Sequence, residues 1–285
     1  MNLITWNVQW CRGVDRRVDP ARIVAEAKRL GDFDVLCLQE VADNFPDPRL
    51  PGSAGEDQFT VLPALLPGYT AVAGVATDHP ADDGRRRRFG NIILSRLPVR
   101  QLFRHLLPSP VDPGVNGMAR IAVEAVVAAP FGNVRVITTH LEWYSLLQRG
   151  AQVEALRAIY AEGHGHARLG SIVDESGGPF HTYPRPAATI ICGDFNLEYD
   201  HALHRRMQDP FADGTPPLAN AWDLVHPGVP YPATFKVHEK WVPGDAELHC
   251  DFFFVSTELR ARVRSVHSDR ATQASDHQPV MLALD

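Results

Sequence analysis

The chain has 285 residues, 45% of them hydrophobic, enough to bury a large core as one big domain or two small ones. A formal net charge of -6 is a poor overall match to a polyanion such as DNA, so any attraction for phosphate has to be local. The chain opens Met1-Asn2-Leu3-Ile4-Thr5-Trp6 with no basic stretch before an apolar run, and no apolar run approaches the ~20 residues of a membrane span. A cytoplasmic protein without a transmembrane segment is the expectation.

Taken in chain order, the first predicted strand is Leu3–Val8. A helix follows, with Asp19 suited to its cap, Pro20 to its first position, Ile23, Ala27 and Leu30 to one face, and Gly31 to its end. Strands are next predicted over Asp34–Gln39, Tyr69–Val75, Asn91–Ser95, Ala119–Val127 and Val134–Thr139. A second helix from about Ser145 to Tyr160 puts Leu146, Val153, Leu156 and Tyr160 on a stripe. Strands at Ala188–Cys192, Asp251–Val255 and Val280–Leu284 complete the set. Runs such as Val35-Leu36-Cys37-Leu38 are apolar on both faces and must be covered on both sides, which predicts a layered α/β sandwich.

Two turn-rich stretches, Asn44–Asp57 and Gly163–Pro186, are candidate linkers. Candidate site residues fall on either side of each, so both are read as surface loops of one domain over residues 1–285. The cysteines Cys11, Cys37, Cys192 and Cys250 lack Cys-x-x-Cys spacing, and three sit in or beside apolar runs, so they are read as small hydrophobes. The run Arg85-Arg86-Arg87-Arg88 reads either as a solvated charged loop or as a phosphate contact, with Arg88, nearest the strand, the best placed. Trp222, His226, Tyr231, Phe235 and Trp241 supply aromatics but little positive charge, and are read as mixed core and rim rather than a base-stacking track.

Polar residues recur at the ends of the predicted strands: Asn7, Glu40, His140, Asp194 with Asn196, Asp251, and Asp276-His277. Each alone is an ordinary cap or turn residue. Together they suit phosphoester hydrolysis. Glu40, supported by Asn7, is a hard oxygen ligand of the kind Mg²⁺ takes; Asp194 can activate water; Asn196, His140 and a protonated His277 can stabilise developing charge. Asp251 can hold His277 in that protonated state. No Gly-x-Gly-x-x-Gly or Walker-type loop is present, which favours recognition of phosphate through a metal.

Trp6-Asn7, Leu38-Gln39-Glu40, Gly90-Asn91 with Leu94-Ser95-Arg96, Thr139-His140-Leu141, Gly193-Asp194-Phe195-Asn196, Asp251 leading Phe252-Phe253-Phe254-Val255-Ser256, and Ser275-Asp276-His277 stand in a characteristic order. This ordered set, spanning Trp6 to Pro279, resembles the endonuclease/exonuclease/phosphatase superfamily. The resemblance implies a four-layer α/β sandwich of two packed sheets flanked by helices, with one active site at the strand ends. It implies Mg²⁺ or Mn²⁺ at Glu40, with Asn7 and Asp276 near the metal or the phosphate. By the same likeness Asp194 activates water, Asn196 and His140 stabilise the transition state, Asp251 pairs with His277, and Arg88 and Asn91 are the candidate substrate contacts. It leaves open one metal or two, and whether His277 is an acid or an electrostatic stabiliser.

Thr139-His140-Leu141 makes the chain similar to the branch of DNase I-like nucleases, sphingomyelinases, inositol-polyphosphate phosphatases and deadenylases rather than to abasic-site endonucleases. The carboxylate that orients the corresponding histidine in DNase I-like members has no counterpart before Asn91. The implied activity is a metal-dependent phosphodiesterase or nuclease acting on a nucleic acid, nucleotide or other phosphodiester. The alternatives are a phosphomonoesterase on an inositol or sugar phosphate, a sphingomyelinase-like lipid phosphodiesterase, and an inactive binding module. No obligate protein partner is called for.

Overall fold

In the computed structural model, which describes all residues except 171, 241 and 243, the apolar runs form two six-stranded mixed sheets. The strands are β1 (Asn2–Asn7), β2 (Val35–Asp43), β3 (Thr70–Pro80), β4 (Arg86–Ser95), β5 (Val99–Leu106), β6 (Ile121–Ala129), β7 (Gly132–His140), β8 (Thr189–Asp194), β9 (Ala219–Asn220), β10 (Asp251–Val255), β11 (Val263–Ser268) and β12 (Val280–Leu284). The helices are α1 (Pro20–Leu30), α2 (Gln58–Ala64), α3 (Leu146–Leu169), α4 (Ala202–Gln208), α5 (Ala221–Val225) and α6 (Thr257–Arg260). The first sheet has the order β11-β12-β1-β2-β4-β3, and the second β5-β6-β7-β8-β10-β9.

Alternation along the strands builds the layers. In β1, β2 and β4, Ile4, Trp6, Leu36, Leu38, Ile92 and Leu94 face outward, where Ile23, Val24 and Ala27 of α1 and Leu62 of α2 cover them. Leu3, Val35, Cys37 and Ile93 face the other way and join the core shared with the second sheet, to which Val153, Leu156 and Tyr160 of α3 also belong. The result is the expected sandwich of two sheets flanked by helices. Two buried amides cross between the sheets. Gln39 Nε2 donates to Thr138 Oγ1 at 2.8 Å, and Asn91 Nδ2 donates to the Ile121 carbonyl at 2.9 Å. All four cysteines are buried thiols, and burial raises the pKa of Cys11, Cys37 and Cys250. Among the described residues, no helix is long and apolar enough to cross a membrane.

Helix α1 forms as its sequence predicts, with Asp19 accepting from the Arg22 amide. Other boundaries differ, for physical reasons. The arginine run is not wholly a loop: Arg85 stays in the turn, but β4 starts at Arg86 and pairs with Asp78–Pro80 in a long hairpin. Helix α3 continues to Leu169, through the first part of the stretch read as a surface loop over Gly163–Pro186, and its Leu146 is 61% exposed rather than on the buried stripe. β5, β9 and β11 escape prediction because they end their sheets or are very short, so their apolar pattern is weak. Trp222, Tyr231 and Phe235 are buried, His226 is half-buried, and Trp241 lies outside the described residues.

Candidate active site

A parallel pair lies inside each sheet, β1 with β2 and β7 with β8, and the carboxyl ends of both pairs open into one cleft of about 360 Å³. A strand end fixes a side chain while leaving its tip accessible. Asn7, His140 and Asp194 are the last residues of β1, β7 and β8, and Asp251 is the first of β10. Asp276 and His277 precede β12.

Glu40 arrives differently, because β2 does not end before it. The register with β4 shifts between Leu38 and Val41, and Glu40 sits in this irregularity with φ of 61°. A bulge at a left-handed residue interrupts strict alternation and re-aims a side chain, at a cost in backbone strain that such sites commonly carry. Asn196 (φ 51°) and the turn of Gln9, Trp10 and Cys11 (φ 47°, 44° and 62°) are also left-handed beside the cleft. Gly193, with φ of 138°, lies so close to β7 that a Cβ there would stand 1.9 Å from the Thr139 carbonyl oxygen.

The polar groups interlock. Asn7 Nδ2 donates to Glu40 Oε1 at 3.1 Å and to Asp194 Oδ2 at 2.9 Å. Asp194 Oδ1 accepts from the Asn196 amide at 2.9 Å. Gln9 Nε2 donates to Asp276 Oδ2 at 2.7 Å. His277 Nδ1 faces Asp251 Oδ2 at 2.9 Å, its Nε2 faces Asp194 Oδ2 at 3.6 Å, and Phe235 stacks on its ring with centroids 4.4 Å apart. Burial opposes charge on His277, but Asp251 and Asp194 outweigh it and raise its pKa to about 10. Asn196 Nδ2 donates to the Leu141 carbonyl and lies 3.0 Å from His140 Nε2, so that nitrogen accepts and the ring proton belongs on Nδ1. Burial, Arg120 and His277 hold the His140 pKa well below its ordinary value, consistent with a neutral ring.

The carboxylates are short of positive charge. Glu40 is raised to about 7, by burial first and then by Asp276, and Asp194 to about 6, chiefly by burial. Asp276 is raised as well, again by burial. Buried acids in this condition fit a divalent cation, which would supply the missing charge through hard oxygen ligands. Among the described residues, Asp194, Asp251 and His277 form a possible metal site, each offering a ligand atom within 4.8 Å of the others. Because His277 Nδ1 and Asp251 Oδ2 already bond to each other, the open demand is on the Glu40, Asp276 and Asp194 side.

Asn7, Glu40, His140, Asp194, Asn196, Asp276 and His277 thus meet at one place, with Asp251 behind His277. Arg88 is not among them. It bonds Asp43 at 2.8 Å and Asp57 at 3.2 Å. Asn91 lines a small crevice with Arg120 and His140, but its amide is committed to joining the sheets. Arg120, just before β6, lines the cleft as well, a residue the sequence pattern does not mark. Its Nε donates to Glu142 Oε2 at 3.3 Å, and Glu142 also accepts from the amides of Met118, Trp143 and Tyr144. Arg149 of α3 fastens the neighbouring loops through the carbonyls of Glu142, Trp143 and Asn196. Gln9, Trp10, Trp143, Tyr144 and Phe235 wall the cleft on one side, and Leu50, Phe89 and Met118 also line it.

The sequence profile of the Endonuclease/Exonuclease/phosphatase family matches residues 4–277. No curated protein matches the sequence significantly. Among solved structures, an endonuclease/exonuclease/phosphatase from Beutenbergia cavernae is 24% identical, with a TM-score of 0.66 over 100% of this chain and 71% of that one. A mannosyl-6-phosphatase from Bacteroides thetaiotaomicron is 18% identical, with a TM-score of 0.65 over 100% of this chain and 99% of that one. TDP2 from Caenorhabditis elegans is 15% identical, with a TM-score of 0.64 over 100% of this chain and 74% of that one. At these identities the likeness is one of fold.

Proposed function

This chain belongs to the endonuclease/exonuclease/phosphatase family, whose members generally hydrolyse phosphoester bonds, and from that premise we propose that it is a divalent-metal-dependent phosphodiesterase. The observation that carries the reading is the meeting of Glu40, Asp194, Asn7, Asn196 and His277 at the floor of one cleft.

Glu40, with Asp276 and Asn7 beside it, would hold Mg²⁺ or Mn²⁺. When bound, the ion neutralises phosphoryl oxygens and lowers the barrier to attack. Asp194, oriented by the Asn7 side chain and the Asn196 amide, positions and deprotonates the attacking water. His277, fixed by Asp251, presents its Nε2 proton to the phosphoryl group or the leaving oxygen. His140 and Asn196 form a neutral pair beside Asp194. Arg120, oriented by Glu142, places a guanidinium against the non-reacting oxygens, a role open to it because it lines the cleft, as none of Arg85, Arg86, Arg87 and Arg88 does.

Charge favours a diester over a monoester. Among the described residues, the carboxylates Glu40, Asp194 and Asp276, with Asp251 and Glu142 behind them, outnumber the cations Arg120 and His277 at the cleft. With a divalent ion in place, little positive charge is left over for a doubly charged monoester. A panel of bis(4-nitrophenyl) phosphate, 4-nitrophenyl phosphate, single-stranded DNA, RNA, inositol phosphates and sphingomyelin tests this. The simple diester should exceed the simple monoester in kcat/KM by roughly 10-fold or more. The reverse order would overturn the diester assignment, and no turnover by folded protein would return it to a binding module.

A further inference from the structure

The cleft does not end at its acidic floor. Leu50, Phe89 and Met118 line it and also line a second groove of about 600 Å³, whose other apolar walls are Phe45, Ala76 and Ala119 and whose rim carries Thr77, Asp78 and His79. Phe45 meets the Phe89 ring edge-on at 6.4 Å. Of the polar residues beside the groove, Asp78 is taken by Arg86 at 2.6 Å. The hairpin that forms one bank is covered in arginine, yet each of these is ion-paired: Arg85 with Asp83, Arg87 with Asp82, and Arg88 with Asp43 and Asp57. None of these guanidiniums lines the groove, whose lining is mostly apolar.

We infer that this groove is a substrate subsite for an apolar organic group, an aryl ring or alkyl chain esterified to the phosphate held at the cleft. The inference rests on the phosphoesterase reading of the cleft and adds the substrate class. Continuity through Leu50, Phe89 and Met118 is what joins the two: a phosphate seated beside Arg120 and Glu40 has the groove as an exit for one of its ester groups. A nucleic-acid backbone entering the same way would bring charge onto a mostly apolar lining in which none of these arginines takes part. The chemistry therefore selects an amphiphilic phosphoester over a polynucleotide.

The test is a series of 4-nitrophenyl phosphodiesters whose second ester group is methyl, phenyl or n-octyl, assayed with Mn²⁺. In the wild-type protein kcat/KM should rise at least ~10-fold from methyl to phenyl or octyl, since several buried carbons suffice for that gain. Phe45→Asp should bring the octyl-to-methyl ratio close to one, and Phe45→Leu should keep most of it. Equal kcat/KM across the series in the wild type, or an unchanged ratio in Phe45→Asp, would overturn the inference. Calorimetric titration with octylphosphonate and methylphosphonate reads the groove without turnover. Preference for octylphosphonate in a protein that hydrolyses none of the esters would sink the hydrolase reading and leave the groove standing. Equal binding would sink the groove.

Discussion

Asp251 Oδ2 lies 2.9 Å from His277 Nδ1, while the opposite ring nitrogen looks across 3.6 Å at Asp194. The imidazole is therefore held between two carboxylates, one that orients it and one that lines the cleft with it. The Tyr231 hydroxyl, donating to the Asp251 backbone carbonyl at 2.5 Å, steadies the orienting residue in turn. Asp251→Asn keeps the shape and removes the charge. It should lower kcat by roughly 100-fold or more while changing KM little, because the lost interaction strengthens only as charge develops. Steady-state kinetics beside a melting curve check this; a fall in kcat matched by unfolding, or a rise in KM alone, counts against it.

Arg120 gives a second prediction. Arg120→Met keeps the packing volume but withdraws the guanidinium that Glu142 orients, and leaves Glu142 without its ion pair. We expect kcat/KM on a simple diester to fall about 10- to 100-fold, as for loss of a charge-assisted contact. Arg88→Met, on the strand bank and paired with Asp43 and Asp57, should change it less than about 3-fold, the small effect expected away from the chemistry. Equal losses in the two variants would restore Arg88 as a substrate contact.

These two arginines show where the sequence is informative. Strand-end polar residues are visible because buried strands stand out as apolar runs, and a polar residue at the end of one is conspicuous. Asn7, His140, Asp194 and Asp251 were legible for that reason. Four adjacent arginines are equally conspicuous, yet their meaning depends on which acids the hairpin brings opposite them. Arg120 is a lone charge beside a strand, and only folding brings Met118, Trp143 and Tyr144 around its partner Glu142. The bulge at Glu40 is likewise invisible, since a register shift belongs to a pair of strands and not to either one. The layered architecture was legible from strands apolar on both faces. The edge strands β5 and β11, each paired on one side, left a weaker pattern.

A third prediction concerns stability at Gly163, a buried glycine in the interior of α3. Alanine usually stabilises such a helical site by roughly 0.5–1 kcal/mol. Here a Cβ would stand 1.9 Å from the Arg135 guanidinium, itself fully buried and bonded to Glu124 at 2.6 Å. Gly163→Ala should therefore destabilise, by about 1–3 kcal/mol as for other overpacked cores. Gly165→Ala, two residues on and with nothing within 4 Å of its Cβ position, should show the ordinary gain. Denaturant melts decide it; the same sign at both positions would contradict the packing described.

The same pair sets a pH dependence. Burial alone would raise the Glu124 pKa, but hydrogen bonds from His105 and Arg135, with the charges of Arg135 and Arg185, outweigh it and bring it down to about 2. A carboxyl lowered on folding binds its proton more readily when unfolded. Its stabilisation is complete above its ordinary value of 4.5 and is lost as pH falls from there toward 2. Melting midpoints between pH 5 and pH 2 should fall more steeply for the wild type than for Glu124→Gln, which starts lower. Parallel slopes would show that Glu124 does not carry this part of the acid sensitivity.

The most direct test of the hydrolase assignment is turnover of bis(4-nitrophenyl) phosphate by wild-type and Asp194→Asn protein, each assayed with Mn²⁺ and with EDTA. The wild type should hydrolyse the diester with Mn²⁺, lose activity in EDTA and recover it when Mn²⁺ is added back. The rate of Asp194→Asn with Mn²⁺ present should be at least ~100-fold lower, as expected when the group that activates water is removed. Wild-type rates that persist in EDTA, or in Asp194→Asn, would contradict the hydrolase assignment.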